Sequence, residues 1–273
     1  HESPGAQAMN ELIRQAVESA IEKLPAGRKL RILEIGAGTG GTSAAILPVL
    51  PTEQAEYTYT DISPLFLNRA KERFKDFDFI DYKSLNIENS PADQGFSLHE
   101  YDIIVAANVL HATVDMTQTM THVRQLLVDE GMLVLFEGTA PVRSVDLIFG
   151  WTDGWWRFSD KELRKSHPLL STNQWDTLLK KCHIPDMVAI PSAKEQSDYG
   201  FYQTAILAQC DDSAETDKEK RYWLVLDSND STGSDLSKLL EKNGDVCIRA
   251  TKGDEFKQIS DHHFQLTSNS EAD

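Results

Sequence analysis

Short apolar runs alternate with amphipathic stretches along most of the chain. Residues 31–35, 101–107 and 131–137 are mainly apolar, and the segments that follow 31–35 and 101–107 have helical spacing. Strands of this kind are typical of parallel sheets that are buried on both faces. The alternation of strands with helices therefore predicts a doubly wound α/β sheet.

The same pattern predicts the individual elements. The expected strands are 31–35, 56–62, 78–82, 101–108, 131–137, 187–190 and 201–208. The expected helices are 6–24, 42–50, 63–74, 115–128 and 171–181. The last two strands suit an antiparallel closing hairpin, with a polar turn at 192–198 between them.

Changes in composition divide the chain into parts. Residues 1–209 form the expected first domain, and the tryptophan-rich, basic stretch 142–170 interrupts its alternation as an insert. A charged, apolar-poor linker is expected at 210–220. Residues 221–273 then contain one βαβ unit, which is too small to be a domain alone. We interpret this part as a Rossmann-like fragment.

Composition limits the functional classes. The 273-residue chain carries a net charge of −16, which argues against nucleic acid as a substrate. It has no 18-residue apolar run, so no membrane span is expected. Three scattered cysteines predict a reducing, cytoplasmic setting and no metal site. The first residues, which lack Met and resemble no signal peptide, suggest a piece of a longer polypeptide.

A glycine loop follows the first strand. Gly36, Gly38 and Gly40 alternate there, and such a loop lets the backbone approach a nucleotide-like ligand. Residues 36–41 also satisfy GxGxxG, the dinucleotide fingerprint. Glu34, however, is expected to face the ligand, where a carboxylate repels a pyrophosphate and suits a cation. This favours S-adenosylmethionine over NAD(P).

Other cofactor-binding candidates follow the next strands. Asp61 ends the second strand and can accept ribose hydroxyls, although an acid at a helix N-terminus is the alternative. Asn86 can bind the adenine edge or serve as a turn residue, and Ile87 can pack on the adenine face. We assign Ile62 and Asn108 to the same site.

A histidine and a glutamate end neighbouring strands. His111 follows the fourth strand and Glu137 ends the fifth. Adjacent strands lie about 4.8 Å apart, so the two side chains can meet. A carboxylate on an imidazole fixes its tautomer and raises its basicity, as a general base requires. The alternative is a structural histidine.

Several motifs together resemble one family. They read LEIGAGTGGT (33–42), YTDIS (59–63), ANVLHAT (107–113), FEGT (136–139) and FGWTDGWW (149–156). In order and over residues 1–209, they are similar to the C-methyltransferase domains of modular and iterative polyketide synthases. The resemblance implies a class I S-adenosylmethionine-dependent methyltransferase fold, with a mostly parallel seven-stranded sheet. It also implies S-adenosylhomocysteine as the product, and His111 and Glu137 as the catalytic dyad. Asn86 departs from the family, where an aspartate is common.

The resemblance also implies a substrate and partners. The substrate is a β-ketoacyl chain on the phosphopantetheine arm of an acyl carrier protein, methylated at its α-carbon. The insert then forms a lid over an acyl tunnel, with Trp151, Trp155 and Trp156 as its substrate residues. The alternative for the insert is an ordinary surface excursion with buried tryptophans. The segment RYWLVLD (221–227) resembles the start of the structural half of a ketoreductase domain.

A cluster of cations follows the tryptophans. We expect this cluster to dock the acidic carrier protein; its members are Arg157, Lys161, Arg164 and Lys165. The alternative interpretation of the cluster is a solvated helix face. Three rival functions remain open from the sequence. They are an O-methyltransferase acting on a β-hydroxyl, an NAD(P)-dependent oxidoreductase and an inactive scaffold.

Overall fold

The structure is a computed structural model of the chain. It describes residues 4–22, 28–199, 202–210, 222–227, 231–242, 245–253, 255–260 and 262–267. The chain divides into two compact units, residues 1–214 and 215–273, and each is described by itself. The domain boundaries expected around residues 209 and 221 stay predictions, because nearly all of the expected linker lies outside the described residues.

A seven-stranded sheet forms the centre of the first unit. Its strands are β1 (Leu30–Ile35), β2 (Ala55–Asp61), β3 (Ile80–Ser84), β4 (Tyr101–Ala107), β5 (Leu127–Gly138), β6 (Asp186–Ile190) and β7 (Gln203–Gln209). They lie in the order β3-β2-β1-β4-β5-β7-β6, in which β7 runs antiparallel to both neighbours. The predicted doubly wound sheet with a closing hairpin is confirmed. The order reverses between β1 and β4, where open α/β sheets bind ligands beyond the carboxyl ends of their strands.

Helices cover both faces of this sheet. Those described in the first unit are α1 (Pro4–Ile21), α2 (Gly41–Ile46), α3 (Pro64–Arg73), α4 (Met116–Leu126), α5 (Arg143–Phe149), α6 (Thr172–Lys181) and α7 (Ala193–Tyr199). The Asp115 carboxylate caps α4 by accepting from the backbone N–H of Gln118, and Ser171 with Gln174 forms a capping box on α6. These caps satisfy backbone donors that a helix start leaves unpaired.

The core has two halves, one on each face of the sheet. Along β1, Leu30 and Ile32 pack against α1, α2 and α3, whereas Leu33 and Ile35 pack against α4 and α6. Successive side chains of a strand point to opposite faces, and β1 has apolar residues on both, so it contributes to both halves. This double burial fixes β1 at the centre and places its carboxyl end at the switch point.

Several element bounds differ from the sequence prediction, among them those of β3, α4 and β5. The helix α7 occupies the stretch expected to be a polar turn, because Ser192 and Glu195 form a reciprocal cap at its start. The helix α4 ends at Leu126, since the chain turns there into β5, which already pairs with Tyr101 at Leu127. The insert is mostly turns and contains only the short helix α5.

The second unit contains a separate sheet. Its elements are β8 (Tyr222–Asp227), α8 (Ser231–Lys242), β9 (Val246–Gly253), β10 (Lys257–Ser260) and β11 (His263–Thr267). The strands lie in the order β10-β11-β9-β8, with β8 parallel to β9 and β9 parallel to β11. The predicted βαβ unit is confirmed, and β10 and β11 are strands that the sequence pattern did not reveal.

Candidate active site

The glycine loop between β1 and α2 has the backbone conformation that its residues predict. Gly36, Gly38 and Gly40 have φ angles of 61°, 57° and 72°, in the region that disfavours other residues. A Cβ on Gly36 would lie 2.7 Å from Val109, and one on Gly40 would lie 2.6 Å from Phe74. A Cβ on Gly38 would meet only a backbone oxygen at 3.8 Å. Gly38 is therefore the position where the loop backbone is open to a ligand.

Asp61 lies beside this loop at the end of β2. Its two carboxylate oxygens accept from the backbone N–H groups of Gly38 and Ser63, at 2.9 and 2.8 Å. Each oxygen keeps a further lone pair, so these bonds leave acceptor capacity for a hydroxyl. The next side chain, Ile62, is 69% exposed. The structure thus brings an acceptor and an apolar surface together at the open loop.

The structure corrects the expected placement of Glu34. Its side chain is 1% exposed and accepts from the Ser43 hydroxyl and, at 2.7 Å, from the Tyr57 hydroxyl. Burial raises the pKa of Glu34 above its usual value, although both hydrogen bonds oppose that shift. Glu34 therefore joins the start of α2 to β2 beneath the loop and does not face the ligand. A buried Glu34 cannot repel a pyrophosphate at the loop, so it no longer argues against a dinucleotide.

The three remaining cofactor candidates lie in different surroundings. The Asn86 side chain accepts from the backbone N–H of Glu88 at 3.1 Å, so it forms the turn that was the alternative. Ile87 is buried within a core cluster, and the expectation that it offers a face to adenine is corrected. Asn108 is exposed, has a φ of 54° and lines the same cavity as His111. The adenine contact of Asn86 and the cofactor-binding role of Asn108 stay predictions.

His111 and Glu137 meet as expected. His111 lies in the segment 109–115 between β4 and α4, called the His111 loop below. The His111 Nδ1 atom is 2.6 Å from Oε2 of Glu137, whose other oxygen accepts from the backbone N–H groups of Val109 and Leu110 at 3.1 and 2.9 Å. Glu137 has no exposed surface. Among the described residues none forms a hydrogen bond with Nε2 of His111, so that nitrogen can accept a proton.

The environment of His111 favours the protonated ring. Burial lowers the pKa of His111, but the charge and hydrogen bond of the Glu137 carboxylate raise it more, and Arg164 has a smaller lowering effect. The net result is a pKa above the ordinary value of 6.5. A raised pKa makes the neutral imidazole a stronger base, as proton abstraction from carbon requires.

A cavity of about 390 Å³ opens beside His111. The insert, β5 and the start of β7 supply its walls, which include Phe149, Trp155, Leu169 and Tyr202. The Trp155 ring stands edge-on to His111, with 5.4 Å between the ring centroids. These walls are mainly apolar, which suits an acyl chain. A larger cavity of about 710 Å³ lies at the opposite edge of the sheet and contains none of these residues.

The three candidate tryptophans are not equivalent. Trp155 is 7% exposed and forms a wall of the cavity, and its indole N–H donates to Asp146 at 3.1 Å. Trp156 is half exposed and packs edge-on against Trp155. Trp151 is 85% exposed and does not line the cavity. Only Trp155 has the placement that the acyl-tunnel prediction requires.

The cation cluster also separates into two groups. Arg164 is 1% exposed and bonds inside the protein, so its expected role in carrier docking is wrong. Arg157 pairs with Glu88 and donates to the carbonyl of Ala112. Lys161 and Lys165 stay exposed, and the Lys161 ammonium lies 3.7 Å from the centre of the Phe158 ring. The surface charge available to a partner is smaller than the sequence suggests.

Sequence reasoning missed two acids beside the His111 loop. Glu88 accepts from the backbone N–H of Val114 at 2.7 Å, and Asp160 accepts from that of Met116 at 3.0 Å. Each acid lies 26 or more positions from its partner, so no local pattern could reveal these contacts. Among the described residues, no group of three or more His, Cys, Asp or Glu side chains could hold a metal ion. None of the described helices is long and apolar enough to cross a membrane.

Comparisons with known proteins identify the first unit. Residues 33–133 match a family model described as a methyltransferase domain. The highly reducing polyketide synthase pspA of Penicillium soppii is 36% identical over 79% of this chain and 8% of its own length. The non-reducing polyketide synthase mapC of Penicillium roqueforti is 38% identical over 66% of this chain and 7% of its own length.

Solved structures agree with these relatives. The CurJ carbon methyltransferase is 48% identical with a TM-score of 0.74, over 77% of this chain and 56% of its own. The CMeT domain of the citrinin polyketide synthase is 34% identical with a TM-score of 0.67, over 74% of this chain and 52% of its own.

The chain carries a methyltransferase domain of the polyketide synthase type. It has the class I S-adenosylmethionine-dependent methyltransferase fold, and it spans about half the length of the solved relatives. The trans-methyltransferase CalH, solved as a complex with S-adenosylhomocysteine, is 34% identical over 74% of this chain and 54% of its own, with a TM-score of 0.60.

The methyltransferase domain fits this cofactor at the glycine loop. The space above Gly38 is open, Asp61 keeps acceptor capacity, and Ile62 offers exposed apolar surface. An adenosine carries both hydroxyls and an apolar face, so these three features match its chemistry. The cofactor-binding roles of the individual residues stay predictions.

Proposed function

We propose that this domain methylates the α-carbon of a β-ketoacyl chain carried on the phosphopantetheine arm of an acyl carrier protein, as a step of polyketide biosynthesis. The observation that supports it most is the buried His111–Glu137 pair at the wall of an apolar cavity. The similarity to the CurJ carbon methyltransferase and to the CMeT domain of the citrinin polyketide synthase supports the same reaction.

His111 acts as the general base in this proposal. Because Glu137 holds Nδ1, the proton of that nitrogen is fixed and Nε2 takes up the proton from the α-carbon. An α-carbon between two carbonyl groups is acidic enough for this transfer. The Glu137 carboxylate then stabilises the imidazolium that forms, and the enolate is left inside the cavity.

S-adenosylmethionine supplies an electrophilic methyl group when it is bound. The glycine loop, Asp61 and Ile62 would hold it, and the main-chain conformation at Gly38 gives it room. The apolar walls formed by Trp155 and Leu169 exclude water from the enolate. Most of the protein's contribution is therefore positioning of the two reactants.

The partner and its surroundings belong to the same proposal. The exposed cations Lys161 and Lys165, with Arg157 beside them, dock the acidic carrier protein near the cavity. The βαβ order of β8, α8 and β9 supports the start of a ketoreductase structural subdomain. The three widely spaced cysteines agree with a cytoplasmic location.

The decisive experiment compares two substrates. The chain is incubated with S-adenosylmethionine and either a β-ketoacyl or a matched β-hydroxyacyl carrier protein, and mass spectrometry follows the acyl arm. We expect one methyl to be added to the β-ketoacyl chain, and His111→Ala to lower the rate by about 10²-fold or more. Methylation of the β-hydroxyacyl chain alone would instead support an O-methyltransferase.

Hydrogen exchange separates the base from the methyl transfer. In deuterated buffer with S-adenosylhomocysteine, wild type should speed deuterium uptake at the α-carbon of the β-ketoacyl substrate, and His111→Ala should not. Equal uptake with both proteins would contradict the assignment of His111 as the base.

A further inference from the structure

Arg164 is a charged side chain enclosed by the protein. Its side chain has no exposed surface, although it lies within a run of cations near the end of the insert. A guanidinium cannot lose its charge inside a protein, so its burial requires hydrogen-bond partners. The identity of those partners shows which part of the fold depends on it.

The partners of Arg164 are concentrated on the His111 loop. Its Nη1 donates to the carbonyl of His111 at 2.9 Å, and its Nη2 donates to the carbonyls of Thr113 and Val114 at 2.8 and 3.0 Å. Its Nε donates to Asp160 at 2.7 Å. The planar guanidinium therefore fixes the directions of three loop carbonyls relative to one carboxylate.

Asp160 extends the same attachment to the end of the loop. While one of its oxygens holds Arg164, the other accepts from the backbone N–H of Met116, the first residue of α4. Next to it, the backbone N–H of Ser159 donates to the carbonyl of Val114 at 2.8 Å. The insert thus holds the His111 loop from the histidine to the start of the following helix.

Glu137 holds the opposite side of this loop. It binds the backbone N–H groups that precede His111 and the ring nitrogen Nδ1. The imidazole is attached to β5, and the carbonyl of the same residue is attached to the insert. His111 is therefore held at two points, its ring and its backbone carbonyl.

We propose that Arg164, anchored by Asp160, is a positioning residue that holds the His111 backbone so that the ring meets Glu137 and faces the cavity. Because Trp155 of the same insert forms a wall of that cavity, Arg164 also fixes the position of His111 relative to that wall. This inference rests on the proposed function, in which His111 removes the proton.

A charge effect and a positioning effect predict opposite shifts. The charged groups that act on His111 are the Glu137 carboxylate from β5 and the Arg164 guanidinium from the insert, and the neighbouring Trp155 is neutral. If Arg164 acted through its charge alone, its removal would raise the pKa of His111. If it positions the loop, its removal weakens the contact with Glu137 and lowers that pKa. The sign of the shift therefore decides between the two roles.

The test uses the full chain and compares four proteins, with His111→Ala added only for the NMR assignment. They are wild type, Arg164→Met, Arg164→Lys and the control Lys180→Met, which removes a cation from the exposed pair that Lys180 forms with Asp176 at 2.8 Å. Like Arg164 and Asp160, that pair has i,i+4 spacing. NMR titration of the His111 ring, assigned by its loss in His111→Ala, gives the pKa without any substrate. Steady-state rates with a small β-ketoacyl thioester and calorimetry with S-adenosylhomocysteine complete the set.

We expect Arg164→Met to lower kcat by about 10²-fold, the effect of a small misplacement of a catalytic group. The pKa of His111 should fall towards its ordinary value, and the affinity for S-adenosylhomocysteine should stay unchanged. Arg164→Lys should be intermediate, because one ammonium cannot bond Asp160 and three carbonyls at once. Lys180→Met should match wild type.

A rise in the pKa of His111, or a wild-type kcat in Arg164→Met, would overturn the proposal. Should Arg164→Met fail to fold, the same titration is applied to Arg164→Lys and Asp160→Asn. A fall in the pKa of His111 then supports positioning, and a rise contradicts it. If wild type methylates neither the thioester nor the β-ketoacyl carrier protein, the proposed function fails, while the titration still reports whether Arg164 positions His111.

Discussion

The glycine loop and the His111 loop lie at the same edge of the sheet, but different interactions hold them. The glycine loop takes its shape from positive φ angles within itself, and the Asp61 carboxylate reaches it from the next strand. The His111 loop is bound by side chains from three distant segments, namely Glu88, Glu137 and the pair Asp160 and Arg164.

This difference separates the two halves of the site. A backbone shaped by its own residues gives an open surface at which a cofactor can lie close to the main chain. A loop bound by buried carboxylates and a guanidinium gives a side chain with one fixed orientation, which is what a general base requires. Substitutions in the two loops should therefore affect different measurements.

Glu137→Gln should have the largest effect. The glutamine oxygen can still accept from the N–H groups of Val109 and Leu110, but its amide would donate to Nδ1 of His111. The ring proton would then be on Nε2, and the base would be blocked. We expect kcat to fall at most as far as in His111→Ala, by about 10²-fold, with unchanged affinity for S-adenosylhomocysteine.

Rates and calorimetry on the same preparation check this prediction. Adding His111→Ala to Glu137→Gln should lower the rate little further, because both changes remove the same base. A rate within tenfold of wild type for Glu137→Gln would show that the tautomer of His111 is unimportant.

Gly38→Val should act on the other loop. Its side chain would project into the open space above the loop, so we expect binding of S-adenosylhomocysteine to weaken by about 10²-fold, or about 2.7 kcal/mol. Gly95→Val is the matched control, because Gly95 also has a positive φ and a Cβ there would meet nothing within 4 Å. Both variants should lose similar stability, and only Gly38→Val should lose affinity. If Gly38→Val and Gly95→Val bound S-adenosylhomocysteine with equal affinity, the cofactor would not lie above Gly38.

Gly40→Ala should lower stability. The added Cβ would lie 2.6 Å from the Phe74 ring, and the backbone would be strained at a φ of 72°. We expect the free energy of unfolding to fall by about 2–3 kcal/mol, measured by urea titration. Gly95→Ala carries the strain without the clash and should cost about 1–2 kcal/mol. Equal losses would mean that Phe74 moves aside freely.

The pH dependence gives the smallest effect. The base works only as the neutral imidazole, and its pKa is raised above 6.5, so kcat/KM should rise with pH through a midpoint above that value. The stabilising charge pair with Glu137 is fully present below pH 6.5 and is lost as pH rises through the folded pKa. The difference in Tm between wild type and His111→Ala should therefore shrink as pH rises. A difference that grows with pH would contradict the raised pKa.

The sequence predicted the elements whose signal is local. The apolar runs at 31–35 and 101–107 indicated buried parallel strands, and both lie at the centre of the sheet. The meeting of His111 with Glu137 could also be predicted, because strand order and spacing place the ends of β4 and β5 side by side. Helix α7 was missed although its capping residues are present in the sequence, because its polar composition favoured a turn.

By itself, the sequence determined the order of strands and helices, the conformation of the glycine loop and the pairing at the sheet edge. Each of these depends on residues close in the chain or on the regular geometry of neighbouring strands. Only the tertiary structure decided that Glu34 is buried beneath the loop and that Arg164 serves the His111 loop and not the surface. Burial of a charged side chain depends on acceptors that folding brings from as far as 53 positions away, and no local pattern records them.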